Sequence, residues 1–522
     1  MNRPINSGAP NLYSIVSCLV IATIAALTAG FAFAPALNAG ITPEDFGWLT
    51  LARHLDTPLP LLHENVFFVY FYRPTGLLFW WLSGQGFGSD AWLQNGADLI
   101  LHAIDAGLMA MLALRLLRDP RAGLAAGLLF ACMPPGVGTA MWLSDRFDAL
   151  ALLFGLLALL CQDAASTRRA ARPVMAVCLL LALTAKEVAF ALAATMLLRL
   201  AWDWWALRRN PWRSAAWIVA AMLAAIALRL IAGTAADNAI NGEDLFARML
   251  RGIGLWWWRL PRALYGYAQV PLWISGLFAL FAGVMLATVA VGLRQRQSEK
   301  APAIVTGGGL LLLPCLLQWP IVALALTDEA GLISLNLRFY YLATAGLALL
   351  AAASVSGLRS RRVGSAIGML LLALLGSLLL RTRDVAAHWT ERYAAASTVH
   401  QRLAEQIGTH VFPPGCLIEI DAPSLDDDFR THVDTIIKAG APRGASIMGC
   451  VIFAGRPVYN TIVSGAMCSA AAWPLLNLNH ENGHSMLAPV GNLCTLQFAQ
   501  PDPALLAARA IRFSVGPDGS LR

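Results

Sequence analysis

Charged residues are scarce in this chain. Asp, Glu, Lys and Arg make up 13% of its 522 residues, whereas 58% are hydrophobic, and ordinary soluble domains contain about 25% charged residues. No 34-residue period is visible, which excludes a tetratricopeptide array, and no low-complexity linker stands out. The composition therefore excludes an ordinary soluble protein.

Apolar runs are what the chain has instead. A run of about 18 or more apolar residues can cross a hydrocarbon core roughly 30 Å thick. The recurrence of such runs predicts a polytopic α-helical membrane protein with about eleven transmembrane helices. The candidate spans are 12–37, 93–114, 121–141, 147–162, 173–187, 188–203, 214–233, 271–293, 303–326, 338–356 and 363–381.

Basic clusters follow every second span and predict how the chain is oriented in the membrane. The clusters are Arg115, Arg118 and Arg121; Arg168, Arg169 and Arg172; Arg208, Arg209 and Arg213; Arg294, Arg296 and Lys300; and Arg359, Arg361 and Arg362. Because cytoplasmic loops carry the excess of Lys and Arg, we expect a bacterial inner-membrane protein with a cytoplasmic N-terminus and a periplasmic C-terminus. The net charge of +7 has the same origin, so nucleic acid is not predicted as a partner. A cleaved signal peptide is the alternative for the first span, but the long apolar core favours a retained anchor.

The polar character of the chain changes near residue 380. Residues 1–380 are predicted to form the transmembrane domain, with a first outer loop at about 38–92, and residues 381–522 a periplasmic mixed α/β domain with short strands. This second part contains Cys416, Cys450, Cys468 and Cys494. In an oxidising compartment they predict up to two disulfides with three possible pairings. A zinc site that uses His480 and His484 is a weaker alternative, because no CxxC spacing occurs.

A pair of adjacent carboxylates, Glu44-Asp45, follows the first span directly. Charges near a membrane core cost a few kcal/mol each and therefore need a partner or a task. Several more charges are predicted at the outer ends of spans, and Asp98 and His102 lie one helical turn apart on the second span. The outer-end charges are Arg73, Asp145, Arg146, Asp148, Lys186, Glu187, Arg259, Arg262 and Arg338.

These charges favour chemistry on a lipid-linked sugar phosphate. Its tail would remain in the bilayer, Arg and Lys would bind its phosphate, and a carboxylate would deprotonate an acceptor hydroxyl. Each feature also has a structural alternative. Lys186-Glu187 could be an ion-paired helix junction, Asp98 and His102 an interhelical hydrogen-bonded pair, and Glu44-Asp45 part of a solvated loop.

Five ordered motifs in residues 40–395 resemble a known superfamily. They are YRPTG, DLILH (Asp98 to His102), MPPGVGTAMWLSDRFD, TAKEV and LRFYYLATAG. They are similar to the motifs of the GT-C superfamily of polytopic glycosyltransferases, in particular the O-mannosyltransferase-like branch, of which this would be a bacterial member without tetratricopeptide repeats. Asp98 stands where that branch has Asn, Met133 where it has His, and Ala343 where it has Pro.

The resemblance implies a glycosyltransferase that moves a sugar from a polyprenyl-phosphate-linked donor to an acceptor on the outer side of the membrane, with inversion at the sugar carbon. It assigns the catalytic base to Asp45, with Glu44 orienting it or the acceptor. The implied substrate- and phosphate-binding residues are Arg73, Arg146, Asp148, Lys186, Glu187, Arg338 and His102, with Asp148 ordering Arg146. No cofactor is required, although the acidic pair could hold a divalent cation. The transferred hexose or pentose and the acceptor (protein, lipid A or glycan) stay open.

Two other functions fit a membrane protein of this kind. A lipid or sugar transporter or flippase would also line a cavity with charges, but it often shows two related halves, and no such symmetry is visible here. A non-catalytic scaffold would present the outer domain to partners, and its acidic pair and outer-end cations would be replaceable without loss of function.

Overall fold

The computed structural model describes residues 12–63, 72–165, 168–232, 245–266, 270–295, 299–325, 335–356, 361–413, 416–422, 427–454, 461–464, 487–490, 493–496 and 510–516. The helices in these ranges are α1 (Leu12–Ala32), α2 (Asp45–His54), α3 (Pro60–His63), α4 (Pro74–Phe87), α5 (Ala91–Leu117), α6 (Pro120–Ala131), α7 (Gly136–Met141), α8 (Arg146–Ala165), α9 (Ala171–Ala185), α10 (Ala189–Leu207), α11 (Trp212–Ile231), α12 (Leu245–Tyr265), α13 (Leu272–Arg294), α14 (Ala301–Ala325), α15 (Tyr341–Val355), α16 (Arg361–Gly408) and α17 (Asp427–Gly440). The strands are β1 (Leu417–Asp421), β2 (Val451–Phe453), β3 (Thr461–Ser464), β4 (Leu487–Val490), β5 (Leu493–Leu496) and β6 (Ala510–Ser514).

The polytopic helical fold expected from the apolar runs is confirmed. In the described part of the chain, seven helical segments are long and apolar enough to cross a membrane, and three shorter apolar helices accompany them. Each of the predicted spans coincides with helical structure, although the span 121–141 consists of two helices, α6 and α7. The helix breaks there because Pro134 and Pro135 cannot continue the α-helical hydrogen-bond pattern.

The aromatic segment LWWWRLPRALY forms the additional helix α12, which was not predicted as a span. Trp256 is fully buried, whereas Trp258 is 67% exposed. Trp256 packs on Tyr340, whose hydroxyl donates to the Trp256 carbonyl at 3.0 Å. The helix is therefore attached through one face to the turn that carries Arg338.

The segment after α1 folds into α2, α3 and α4, and it packs against the C-terminal domain. A single buried apolar cluster contains side chains from both parts, among them Phe46, Leu49 and Trp80 from the segment after α1 and Ile436, Ile437 and Ile452 from the domain. α16 is continuous over 48 residues and runs from the last apolar span into this domain. The two parts therefore share one hydrophobic core.

The described residues of the C-terminal domain form two small sheets. In the first, β1 lies between β2 and β6 and is parallel to both. α17 connects β1 to β2 and covers this sheet. In the second sheet, β5 lies between β3 and β4 and is antiparallel to both.

Among the cysteines whose side chains the structure describes, Cys416 and Cys450 form a disulfide with an S–S distance of 1.99 Å. It joins the residues that precede β1 and β2. Cys468, His480 and His484 lie outside the described residues, and Cys494 lies on β5 in a part whose side chains are not described. The second predicted disulfide and the zinc alternative therefore stay predictions.

Candidate active site

The motif WLSDRFD organises the polar contacts between the first segment and the helix bundle. Trp142 is extended and ends α7, Leu143–Asp145 form a 3₁₀ turn, and α8 begins at Arg146. Successive residues of a helix are rotated by about 100°. The polar side chains of this motif therefore point in different directions: Ser144 contacts α2, Arg146 contacts α4 and α5, and Asp145 and Asp148 both contact Lys186.

Ser144 binds the buried member of the acidic pair. Asp45 Oδ1 accepts hydrogen bonds from the Ser144 backbone N–H at 2.7 Å and from Ser144 Oγ at 2.5 Å, and Asp45 Oδ2 accepts one from Thr42 Oγ1 at 2.7 Å. Asp45 is fully buried. Burial raises the pKa of Asp45 above its ordinary value of 3.8, and the hydrogen bonds from Ser144 and Thr42 only partly oppose this. Glu44 precedes Asp45 at the helix N-terminus, and its side chain is exposed.

Lys186 lies in an extended break between α9 and α10. Its Nζ donates to Asp145 Oδ1 at 3.2 Å and to Asp148 Oδ2. Asp145 also accepts from Thr139 Oγ1 at 3.3 Å. Arg338 lies nearby, with Nε 3.8 Å from Asp145 Oδ1 and its guanidinium 3.9 Å from the centre of the Trp142 ring. The side chains of Lys186 and Arg338 are 11% and 20% exposed.

Glu187 lies between two arginines. Its carboxylate accepts from Arg73 Nη2 at 2.7 Å and from Arg229 Nη2 at 2.6 Å. Arg73 also lies over the Phe147 ring, with 5.2 Å between the guanidinium carbon and the ring centre. The side chains of Arg73, Glu187 and Arg229 are 12%, 30% and 27% exposed. Both residues of the Lys186-Glu187 junction are thus ion-paired, each with partners on other elements.

Arg146 is part of the interior of the bundle. Its Nε lies 3.1 Å from Asp98 Oδ1, its Nη1 donates to Ser83 Oγ at 2.8 Å, and both Arg146 and Asp98 are fully buried. Its guanidinium also packs on Trp80 at 3.9 Å from the ring centre. The prediction that Asp148 orders Arg146 is wrong, since Asp148 pairs with Lys186 and Asp98 pairs with Arg146.

His102 lies apart from the other predicted site residues. It is fully buried, and its Nδ1 lies 2.9 Å from the Tyr341 hydroxyl, which donates to Asp105 Oδ2 at 2.8 Å. The expected Asp98–His102 pair does not form. His102 instead connects α5 to α15 within the bundle.

The structure thus brings eight of the nine predicted residues to one end of the bundle. Four partly exposed cations contact the WLSDRFD motif or the adjoining Glu187: Arg73, Lys186, Arg229 and Arg338. Among the described residues, no group of three or more His, Cys, Asp and Glu side chains is placed to hold a metal ion. The divalent cation that the acidic pair could hold therefore stays a prediction.

Arg229 was not predicted from the sequence. It lies in the last turn of the apolar helix α11. A charge inside an apolar span is a signal that could have identified it, because such a charge is costly without a partner. Its partner Glu187 was predicted, but the contact between them depends on how α11 packs against the α9–α10 junction.

Comparison with known proteins gives similarities in fold. No protein-family model and no curated protein matches the chain. ArnT from Cupriavidus metallidurans bound to undecaprenyl phosphate is similar with a TM-score of 0.48 and 13% identity, over 92% of this chain and 97% of that chain. The oligosaccharyltransferase of Archaeoglobus fulgidus in the apo form is similar with a TM-score of 0.48 and 12% identity, over 83% of this chain and 66% of that chain.

At such low identities and TM-scores, the likeness gives no information about a substrate or a mechanism. These have to come from the side chains of this chain.

Proposed function

We propose that this chain is a membrane glycosyltransferase that moves a sugar from a polyprenyl-phosphate-linked donor to an acceptor hydroxyl on the outer side of the membrane. The observation that carries the proposal is the junction of α2 with the WLSDRFD motif. There Asp45 of the acidic pair is hydrogen-bonded to Ser144, and a group of partly exposed cations contacts the same motif and the adjoining Glu187, at one end of an apolar helix bundle.

The cations suit the phosphate of a lipid-linked donor. Arg73 and Arg229 share a single carboxylate, Glu187, so this group keeps one positive charge. A sugar phosphodiester carries one negative charge, which this group can balance, and arginine forms bidentate hydrogen bonds with phosphate oxygens. Lys186 and Arg338 extend the positively charged surface toward Trp142. The apolar surface of the bundle would hold the polyprenyl tail in the bilayer.

The reaction would be a direct displacement. A carboxylate takes the proton of the acceptor hydroxyl, the acceptor oxygen forms a bond with the anomeric carbon, and the bond from that carbon to the phosphate oxygen breaks. The released polyprenyl phosphate gains a negative charge, which the cations stabilise. Attack from the side opposite the phosphate inverts the sugar carbon.

We exchange the roles that the sequence resemblance gave to the two carboxylates: Glu44 becomes the base, and Asp45 becomes the residue that positions it. Asp45 is buried, and both of its oxygens accept hydrogen bonds from Ser144 and Thr42, so it acts as the anchor that positions the pair. Glu44 is exposed at the start of α2 and is the group that an acceptor hydroxyl can reach. Glu44 is therefore our proposed base.

The test is release of free polyprenyl phosphate by the purified protein from a panel of lipid-linked sugars, with a membrane and periplasm extract as the source of acceptors. We expect release from one donor, and at least a 100-fold loss in Glu44→Gln, since general bases contribute about 10²–10⁴-fold. Asp45→Asn should lose both turnover and thermal stability.

Two outcomes would change this proposal. If Asp45→Asn folds normally and loses turnover while Glu44→Gln remains active, Asp45 is the base and its bond to Ser144 opens during the reaction. If the folded wild-type protein releases polyprenyl phosphate from no donor, the transferase proposal is wrong and transport or scaffolding becomes the better explanation.

A further inference from the structure

The first residue of α2 contacts the WLSDRFD motif, and its later residues contact the C-terminal domain. That first residue is Asp45, which binds Ser144, and the later residues contact α17 of the C-terminal domain. Thr50 Oγ1 lies 2.8 Å from the Thr435 carbonyl and 2.8 Å from the Phe46 carbonyl of its own helix, so its one proton is shared between them. His54 Nε2 donates to the Lys438 carbonyl at 3.0 Å. The helix that carries the acidic pair is thus hydrogen-bonded directly to the C-terminal domain.

These contacts satisfy the C-terminal end of α17. The last four carbonyls of an α-helix lack partners within the helix, and those of Lys438 and Ala439 belong to this group. Arg53 Nη1 donates to the Ala439 carbonyl, next to the His54 contact. Cationic and N–H donors at a helix C-terminus are also favoured by the helix dipole. Side chains of α2 therefore act as the C-terminal cap of α17.

Burial makes these bonds hard to replace. Thr50 is 0% exposed and His54 is 3% exposed. Water cannot replace a lost donor at such buried positions, although the Lys438 carbonyl keeps a second donor, the Ala441 N–H at 3.1 Å. Removing either donor should therefore loosen the contact between α2 and α17.

The residues before α2 are fixed independently. The Gly40 carbonyl accepts from Asn95 Nδ2 of α5 at 3.1 Å, and the Ile41 N–H donates to Ser397 Oγ of α16 at 2.9 Å. Gly40 has a positive φ of 75°, and a Cβ there would lie 2.4 Å from Ser397 Cβ. The peptide that leads into the acidic pair is thus hydrogen-bonded to α5 and α16, while the later residues of α2 are hydrogen-bonded to α17.

We propose that Thr50 and His54 are positioning residues, which fasten α2 to the C-terminal domain and so hold Glu44-Asp45 in register with the cations around the WLSDRFD motif. This role rests on the proposed function, because it assumes that the acidic pair reacts there. It gives the C-terminal domain a part in the active site, in addition to any contact it makes with an acceptor.

The test compares disruptive with conservative variants in the purified full-length protein. Thr50→Val and His54→Ala remove the donors, whereas Thr50→Ser and His54→Gln keep a hydroxyl and a side-chain N–H. Hydrogen exchange of residues 45–54 should become about 5- to 10-fold faster in the disruptive pair and return toward wild type in the conservative pair. Thr398→Val is the control, because the Thr398 hydroxyl is exposed and donates only to Ala394 of its own helix.

Kinetics separate positioning from a general loss of structure. With the lipid-linked sugar that supports release, kcat should fall about 5- to 10-fold in the disruptive pair. KM for the donor should stay unchanged, because Arg73 and Arg229 lie outside α2. Unchanged exchange and unchanged kcat in both disruptive variants would overturn the proposal. If no donor supports release, the exchange result still decides whether α17 fastens α2, so the two proposals can fail separately.

Discussion

At the scale of single residues, solvent exposure distinguishes charged side chains that stabilise the helix bundle from those that a substrate can contact. Arg146 and Arg73 were predicted to have the same role, yet Arg146 is fully buried against Asp98 and Trp80, while Arg73 and Arg229 remain partly exposed around Glu187. A buried ion pair is costly to break, because the charge that remains is uncompensated. Arg146 is therefore assigned a structural role.

Replacing Arg146 should reduce stability more than donor binding. Arg146→Met leaves the Asp98 carboxylate buried without its ion-pair partner, and we expect a loss of about 3–5 kcal/mol in the free energy of unfolding. Adding Asp98→Asn should recover part of this loss. Denaturant unfolding of the two variants in detergent tests it. A stable Arg146→Met protein with a raised KM for the donor would instead make Arg146 a phosphate ligand.

Arg229 should affect donor binding directly. Arg229→Gln removes one of the two cations that share Glu187, and the loss of a charge-assisted hydrogen bond of about 1.5–3 kcal/mol should raise KM for the lipid-linked donor roughly 10-fold or more. Arg199→Gln is the matched control, because Arg199 pairs with Asp163 at 2.9 Å elsewhere in the bundle. Equal KM values for the two variants would remove Arg229 from the donor site.

At the scale of elements, the contact between α2 and α17 predicts a dependence on pH. Burial, together with the neighbouring charges of Arg53, Lys438 and Arg443, lowers the pKa of His54 from its ordinary value of 6.5 to about 4, against the opposing effect of its bond to the Lys438 carbonyl. Neutral His54 is therefore favoured in the folded state. Its contribution to stability is complete above pH 6.5 and is lost as the pH falls toward 4.

The difference between wild type and His54→Gln measures this contribution, since other carboxyl groups titrate in both proteins. When the pH is lowered from 7.5 to 4.5, we expect wild type to lose roughly 2–3 kcal/mol more stability than His54→Gln. Hydrogen exchange of residues 45–54 measures this difference. Parallel pH profiles for the two proteins would contradict the assignment.

The elements themselves were largely predictable, and their contacts were not. Apolar runs identify spans because the hydrocarbon core sets their length, and the break at Pro134 and Pro135 was visible as two prolines inside a predicted span. The pairing of Asp45 with Ser144 joins residues 99 positions apart, and no periodicity encodes such a contact. The same limit explains why Arg229 and the α2–α17 contact were missed and why Arg146 was assigned the wrong partner.

At the scale of the whole molecule, the site is built where the membrane part and the C-terminal domain share a core. The buried cluster that includes Phe46 and Ile436 belongs to both parts, and α16 connects them without interruption. The acidic pair and the C-terminal domain must therefore lie on the same side of the membrane. The basic clusters predict that this side is the periplasm.

The Cys416–Cys450 disulfide provides the test of this orientation. Disulfides persist in oxidising compartments and are rare in the cytosol. We expect both cysteines to resist mass-tagging by a maleimide in denatured membranes from normal cells, and to become tagged after reduction or in cells that cannot form periplasmic disulfides. The Cys416→Ser/Cys450→Ser protein is the control, because it lacks the two tags that reduction adds at these positions in the wild-type protein. Tagging of both cysteines without reduction would place the C-terminal domain, and with it Glu44-Asp45, on the cytoplasmic side, where an outer acceptor could not reach them.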